Sequence, residues 1–130
     1  MLKLCGADLR LVDALPYKNP GNYIRFSETL AKSLKNDKGV FWANQFDNLS
    51  NKKSHYLTTG PEIMDQLSSS IDGFICAIGT GGTISGVSEF LKEKNKNITI
   101  GLADPMGSCM HNFFKYGKLK SSGDSITEGI

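Results

Sequence analysis

The chain has 130 residues, with 15 Lys and Arg against 13 Asp and Glu and a formal net charge of +2, a size for one domain or parts of two. Charges of both signs are spread along its length without a block of one sign, which disfavours nucleic acid as a partner. No stretch approaches the roughly 18 apolar residues of a membrane span, and Cys5, Cys76 and Cys109 are odd in number, widely spaced and without a CxxC, which argues against both a disulfide framework and a zinc site.

The opening "MLKLCGADLR" has no apolar core of a signal peptide, so a reducing, cytoplasmic setting is expected. Met1 to Cys5 reads as the last turn of a helix, stopped by a left-handed Gly6. Leu9 to Asp13 reads as a short strand, and "ALPYKNPGN" as a loop with an Asn-Pro-Gly turn. From Tyr23 to Lys35, the residues Tyr23, Phe26, Leu30 and Leu34 recur at helical spacing. Val40 to Asn44, "VFWAN", is a short apolar strand after Gly39. Lys52 to Leu67 reads as helical, with Gly60-Pro61 expected to kink or split it.

Ile71 to Ile78, "IDGFICAI", suits a buried parallel strand, with Cys76 as a small buried hydrophobe. A Gly/Thr loop follows, then an amphipathic helix over Ile84 to Lys94 and a second strand in "NITIGLAD". Strand, loop, helix and strand over about 30 residues make one βαβ unit. Cys109 to Tyr116 reads as a short helix and "GKLKSSGDSITEGI" as a polar surface loop. The whole is α/β with parallel pairing.

The loop "AIGTGGTISG", Ala77 to Gly86, carries the chemistry. It leaves a strand and enters a helix N-terminus, where free N–H groups and the helix dipole favour an anion. Glycines let a ligand approach the backbone, and Thr80 and Thr83 add hydroxyl donors. It is not a Walker loop, because no lysine lies between Gly79 and Gly86. It is not a strict dinucleotide fingerprint, because the sixth place from Gly79 is Ile84. Asp104 stands where a ribose-binding acid would be, and an Asp-Pro strand end explains it equally. The glycines alone are also compatible with a plain β-to-α turn, and a small nucleotide-binding domain stays open as a third alternative.

Five motifs in order narrow the reading: "NQFDN" (Asn44 to Asn48), "HYLTTGPEI" (His55 to Ile63), "GTGGTISGV" (Gly79 to Val87), "LADPMGS" (Leu102 to Ser108) and "SITEGI" (Ser125 to Ile130). Together they closely resemble cysteine synthase, the O-acetylserine sulfhydrylase family of fold type II pyridoxal phosphate enzymes, over essentially the whole chain. Cystathionine β-synthases share several of the motifs. The resemblance implies the tryptophan synthase β-like fold, three-layered with mostly parallel sheets, and incomplete here. It implies that 1–44 form the end of the small domain and 45–130 the first part of the large cofactor-binding domain. It implies that Gly79, Thr80, Gly81, Gly82 and Thr83 hold the 5′-phosphate of pyridoxal phosphate without a lysine or arginine. Gln45 maps to the glutamine that binds the amino-acid substrate's α-carboxylate, as an amide donor can. Gly129 maps to the glycine near the cofactor face. The implied reaction replaces the acetoxy group of O-acetylserine by sulfide, with the pyridine ring as electron sink.

Other residues have plainer explanations. Gln45 taken alone is a loop cap or bridge, and His55 a helical residue with structural hydrogen bonds. Asp47 and Asn48 shape a loop, and His111 gets no role. In the family the lysine that bonds the cofactor lies upstream of the matched region, in a Ser-x-Lys type context, and the lysines here read as solvated helix faces and loops. No catalytic residue and no metal ligand is therefore assigned. The expectation is an internal piece of such an enzyme, unable to run the reaction alone. Unpaired strand edges invite association with a second copy or a complementary fragment, so a non-catalytic assembly module is the alternative.

Overall fold

A computed structural model describes residues 1–67 and 71–121. Gly129, the end of the C-terminal loop and the whole "SITEGI" motif lie outside the described residues. The chain divides into two compact units, Met1–Asn44 and Gln45–Ile130.

In the first unit a single 3-10 turn, Leu2–Cys5, ends at Gly6, whose φ of 83° is the left-handed stop expected there. Helix α1 spans Tyr23–Ser33. Asn22 starts it: its Oδ1 accepts from the Ile24 N–H at 3.0 Å, and its Nδ2 donates to the Leu15 carbonyl at 2.7 Å. One buried amide thus caps the helix and ties the preceding loop to it. Trp42 closes onto α1 through its indole N–H, which donates to Ser27 Oγ at 3.2 Å.

The strands expected at Leu9–Asp13 and Val40–Asn44 do not form. Among the described residues the chain's sheet contains two strands, both in the second unit. Leu11 and Phe41 are 87 % and 83 % exposed. Apolar, β-prone sequence becomes a strand only when a neighbour supplies a ladder and a covered face, and neither segment has them here.

The second unit begins with two helices, α2 over Ser50–Leu57 and α3 over Thr59–Gln66. The expected split is present, but it falls at Thr58 (φ −121°, ψ −68°) rather than at Gly60-Pro61. A proline ring clashes with the carbonyl four residues earlier, which here is Leu57, the last residue of α2. Pro61 instead sits in the first turn of α3, where its missing N–H costs nothing.

Strand β1 (Gly73–Ala77) pairs in parallel with β2 (Thr99–Ala103), Gly73 opposite Thr99 through Ala77 opposite Ala103. Helix α4 (Gly82–Lys94) connects them. The core is Ile71, Val87, Leu91 and Ile98, with Ile63, Met64, Phe74, Phe90 and Ile100 packed around it. It lies between one face of the strand pair and helices α3 and α4. The opposite face is bare: Ile75 is 74 % exposed. Cys76 alternates with it onto the side of Phe74 and is half-buried rather than buried, because the core covers that end of the strand only in part. A continuous apolar strand is fully buried only when both faces are covered. Helix α5 (Met110–Tyr116) ends on Gly117, φ 67°. Asp104 reaches its first turn from the strand end, its Oδ2 accepting the His111 N–H at 2.8 Å, so this acid has a structural partner.

Candidate functional site

The Gly/Thr loop joins the carboxyl end of β1 to α4. Gly81 takes φ 82°, ψ −4° as the residue before the helix, a left-handed position that suits glycine. No side chain caps α4, and its first turn holds no acidic residue. The leading N–H groups have no intrahelical acceptors, and the Gly82 N–H makes only a long contact to Thr80 Oγ1, at 3.4 Å. Lys92 and Lys94 lie in the last turn, at the opposite pole. The local field at the loop therefore favours negative charge.

Helix α2 braces this loop. Asn51 Nδ2 donates to Thr80 Oγ1 at 2.7 Å. His55 Nε2 lies 3.1 Å from Thr83 Oγ1, and its Nδ1 lies 2.9 Å from Thr59 Oγ1. The two glycines at the start of α4 make the approach possible. A Cβ on Gly82 would overlap the Asn51 side chain, and one on Gly86 would strike the Lys52 carbonyl, His55 Cβ and the Tyr56 N–H.

A cavity of about 420 Å³ opens beside the loop, lined among others by Gln45, Asn51, Lys52, Thr80, Gly81 and Gly82. It brings Gln45 together with three of the five loop residues singled out in the sequence; Gly79 and Thr83 are not on its wall. Lys52 is the lysine on that wall, and its Nζ pairs with Glu89 at 2.7 Å. On the same helix Tyr56 donates its hydroxyl to Glu93 Oε2 at 2.7 Å. That hydrogen bond, then burial, then the charges of Glu93 and Glu89 hold its pKa above the ordinary tyrosine value. Among the described residues no cluster of His, Cys, Asp and Glu could hold a metal ion, and no helix is long and apolar enough to cross a membrane.

Sequence reasoning missed Asn51. Its four-residue spacing from His55 was visible, and on a helix such a pair shares one face. That this face meets the threonines of the loop depends on how α2 packs against α4.

Residues 1–130 match the family described as pyridoxal-phosphate dependent enzyme. The chain belongs to that family. Among its relatives is cysteine synthase 1 of Neurospora crassa, 44% identical over 133 residues that take in all of this chain and 35% of the relative. The crystal structure of the cysteine synthase of Entamoeba histolytica superposes with a TM-score of 0.74 at 34% identity, covering 98% of this chain and 35% of that one. The crystal structure of an O-ureido-L-serine synthase superposes with a TM-score of 0.70 at 28% identity, covering 85% and 34%. The chain thus spans about a third of the length of these relatives. Its parallel α/β unit is part of the tryptophan synthase β-like fold.

Proposed function

We propose that this chain supplies the cofactor-phosphate loop of a cysteine synthase, with Gly79, Thr80, Gly81, Gly82 and Thr83 holding the 5′-phosphate of pyridoxal phosphate. One observation carries the reading: the N-terminus of α4, with no acidic residue in its first turn, places Thr80, Gly81 and Gly82 on a cavity wall with Gln45. The residues fit a phosphate. Gly81 is left-handed and Gly82 leaves no room for a Cβ on its α2 side. The donors present are N–H and O–H groups, suited to the acceptor oxygens of a phosphate.

In this reading Met1–Asn44 is the end of the small domain and Gln45–Ile130 the first part of the large, cofactor-binding domain. Gln45, exposed at the cavity, contacts the α-carboxylate of an amino-acid substrate, and Gly129 lies near the cofactor face. When bound, the cofactor supplies a pyridine ring as electron sink for replacing the acetoxy group of O-acetylserine by sulfide. The chain's own part is to bind and orient the phosphate end. Two tripeptides here do spell Ser-x-Lys, Ser33 to Lys35 and Ser50 to Lys52. Lys35 lies just beyond the end of α1, and Lys52 is neutralised by Glu89, so neither is assigned the cofactor-bonding role. The cytoplasm, a reducing compartment, fits three free cysteines.

The test is direct. Purified chain is titrated with pyridoxal 5′-phosphate and, separately, with pyridoxal, and then assayed for cysteine formation from O-acetylserine and sulfide. Saturable binding that needs the phosphate, without turnover, is expected. Equal binding of both compounds overturns the loop assignment, and robust turnover overturns the limited role. A second reading, assembly with a second copy or a complementary segment, is favoured by the bare β1 face around Ile75. Light scattering that finds only a monomer, with no change when a complementary segment is added, counts against it.

A further inference from the structure

We propose that Asn51 and His55, one turn apart on α2, are positioning residues that fix Thr80 and Thr83 as hydrogen-bond donors to the cofactor's phosphate. The inference rests on the loop assignment above and goes on to name what controls the loop's hydrogen-bond polarity. A threonine hydroxyl has one proton to give and two lone pairs. A phosphate offers only acceptors to its surroundings when fully ionised. A hydroxyl that donates to the protein would therefore turn lone pairs toward the phosphate and repel it. One that accepts from the protein keeps its proton for the ligand.

Thr80 is in the second condition. Its Oγ1 accepts from Asn51 Nδ2 at 2.7 Å, and the Gly82 N–H approaches the same oxygen at 3.4 Å. Both lone pairs then have donors, and the hydroxyl proton is the capacity left. Gly82 is part of the device, because a side chain there would occupy the place of the Asn51 amide.

Thr83 depends on the tautomer of His55. The ring lies between two hydroxyls, Thr59 Oγ1 at 2.9 Å from Nδ1 and Thr83 Oγ1 at 3.1 Å from Nε2. A neutral imidazole donates from one nitrogen and accepts at the other. The proposal assigns the proton to Nε2. Thr59 then donates to Nδ1, Nε2–H donates to Thr83, and the Thr83 proton stays available. Gly86 lets the α2 backbone come close enough for the ring to reach.

The experiment measures the affinity ratio of pyridoxal 5′-phosphate to pyridoxal by calorimetry on the whole 130-residue chain. It adds the pH titration of the bound phosphate by phosphorus NMR. Asn51→Leu and His55→Leu are each expected to lower the ratio about tenfold or more, the worth of a hydrogen bond to a charged group. They should also move the phosphate's titration midpoint back toward that of free cofactor, because donors stabilise the dianion. His55→Gln, whose amide N–H can stand in for Nε2–H, should restore most of the ratio. Thr59→Val is isosteric and removes the donor that holds the tautomer. It should lower the ratio severalfold, and it decides the question if the leucine variants fail to fold. Unchanged ratio and midpoint in the folded variants overturn the positioning role while leaving the phosphate loop standing. A wild-type ratio near one overturns both.

Discussion

Gly86 is the point where α2 and α4 touch backbone to backbone, so Gly86→Ala tests the packing that carries the site. The added Cβ would lie 2.8 Å from both His55 Cβ and the Tyr56 backbone nitrogen, and closer still to the Lys52 carbonyl oxygen. Comfortable carbon contacts begin near 3.5 Å, so the helices must part by roughly 1 Å, since backbone atoms cannot rotate away. Parting them loosens Val87 and Leu91, both 0 % exposed on the same helix. Overpacking of this kind costs about 1–3 kcal/mol. Alanine in place of a helical glycine returns about 1 kcal/mol. Because the obstacles are mainly backbone, a net loss of about 1–2 kcal/mol is expected. At about 4–8 °C per kcal/mol for a domain of this size, the unfolding midpoint should fall by roughly 5–15 °C. Thermal melts followed by far-ultraviolet circular dichroism measure it. A midpoint that stays or rises would mean that α2 does not sit against α4 as described, and the bracing of Thr80 and Thr83 would fall with it.

Two further outcomes follow from the same geometry. The folded state holds the Tyr56 pKa above its unfolded value, first through the Glu93 hydrogen bond. Its contribution to stability is therefore complete below the unfolded value of about 10 and is lost as pH rises through the folded one. Glu93→Gln should bring one tyrosinate step in the near-ultraviolet titration down toward the ordinary value; an unchanged curve would show that the Tyr56–Glu93 bond does not persist in solution. In the first unit, Asn22→Ala removes a cap and a buried tie to Leu15 and should destabilise α1 by about 1–2 kcal/mol. Asn22→Ser keeps a cap acceptor without setting a second oxygen against the Leu15 carbonyl and should cost less. Amide hydrogen exchange of residues 24–30 reads both, and equal protection in all three proteins would refute the capping role.

Much of the second unit was legible because its signals are local. Helical spacing marked α4, two β-rich runs bounded by turn residues marked β1 and β2, and the glycine run marked the turn between them. Gly6 announced its left-handed conformation because little else tolerates one. The break between α2 and α3 was legible in kind but misplaced by two residues, since a proline acts on the carbonyl one turn before it. The strands at Leu9–Asp13 and Val40–Asn44 were misread for the opposite reason. Their residues suit a strand, but a ladder belongs to two segments and not to one. Cys76 erred likewise, its burial depending on a covering layer that its own neighbours do not specify.

The sequence alone determined the family and the kind of donor the loop can present. Five motifs in fixed order are far more specific than one glycine run, and a lysine-free loop can present only N–H and O–H donors to a phosphate. Tertiary structure decided what stands behind that loop. Asn51 and Thr80 are 29 positions apart, and His55 and Thr83 are 28 apart. Their meeting requires α2 to lie against α4, which is possible because Gly82 and Gly86 carry no Cβ. Glycine spacing that reads in one dimension as a phosphate signature is, in three, also the seat of a second helix. A hydrogen bond's direction depends on both partners' positions, and only packing supplies those.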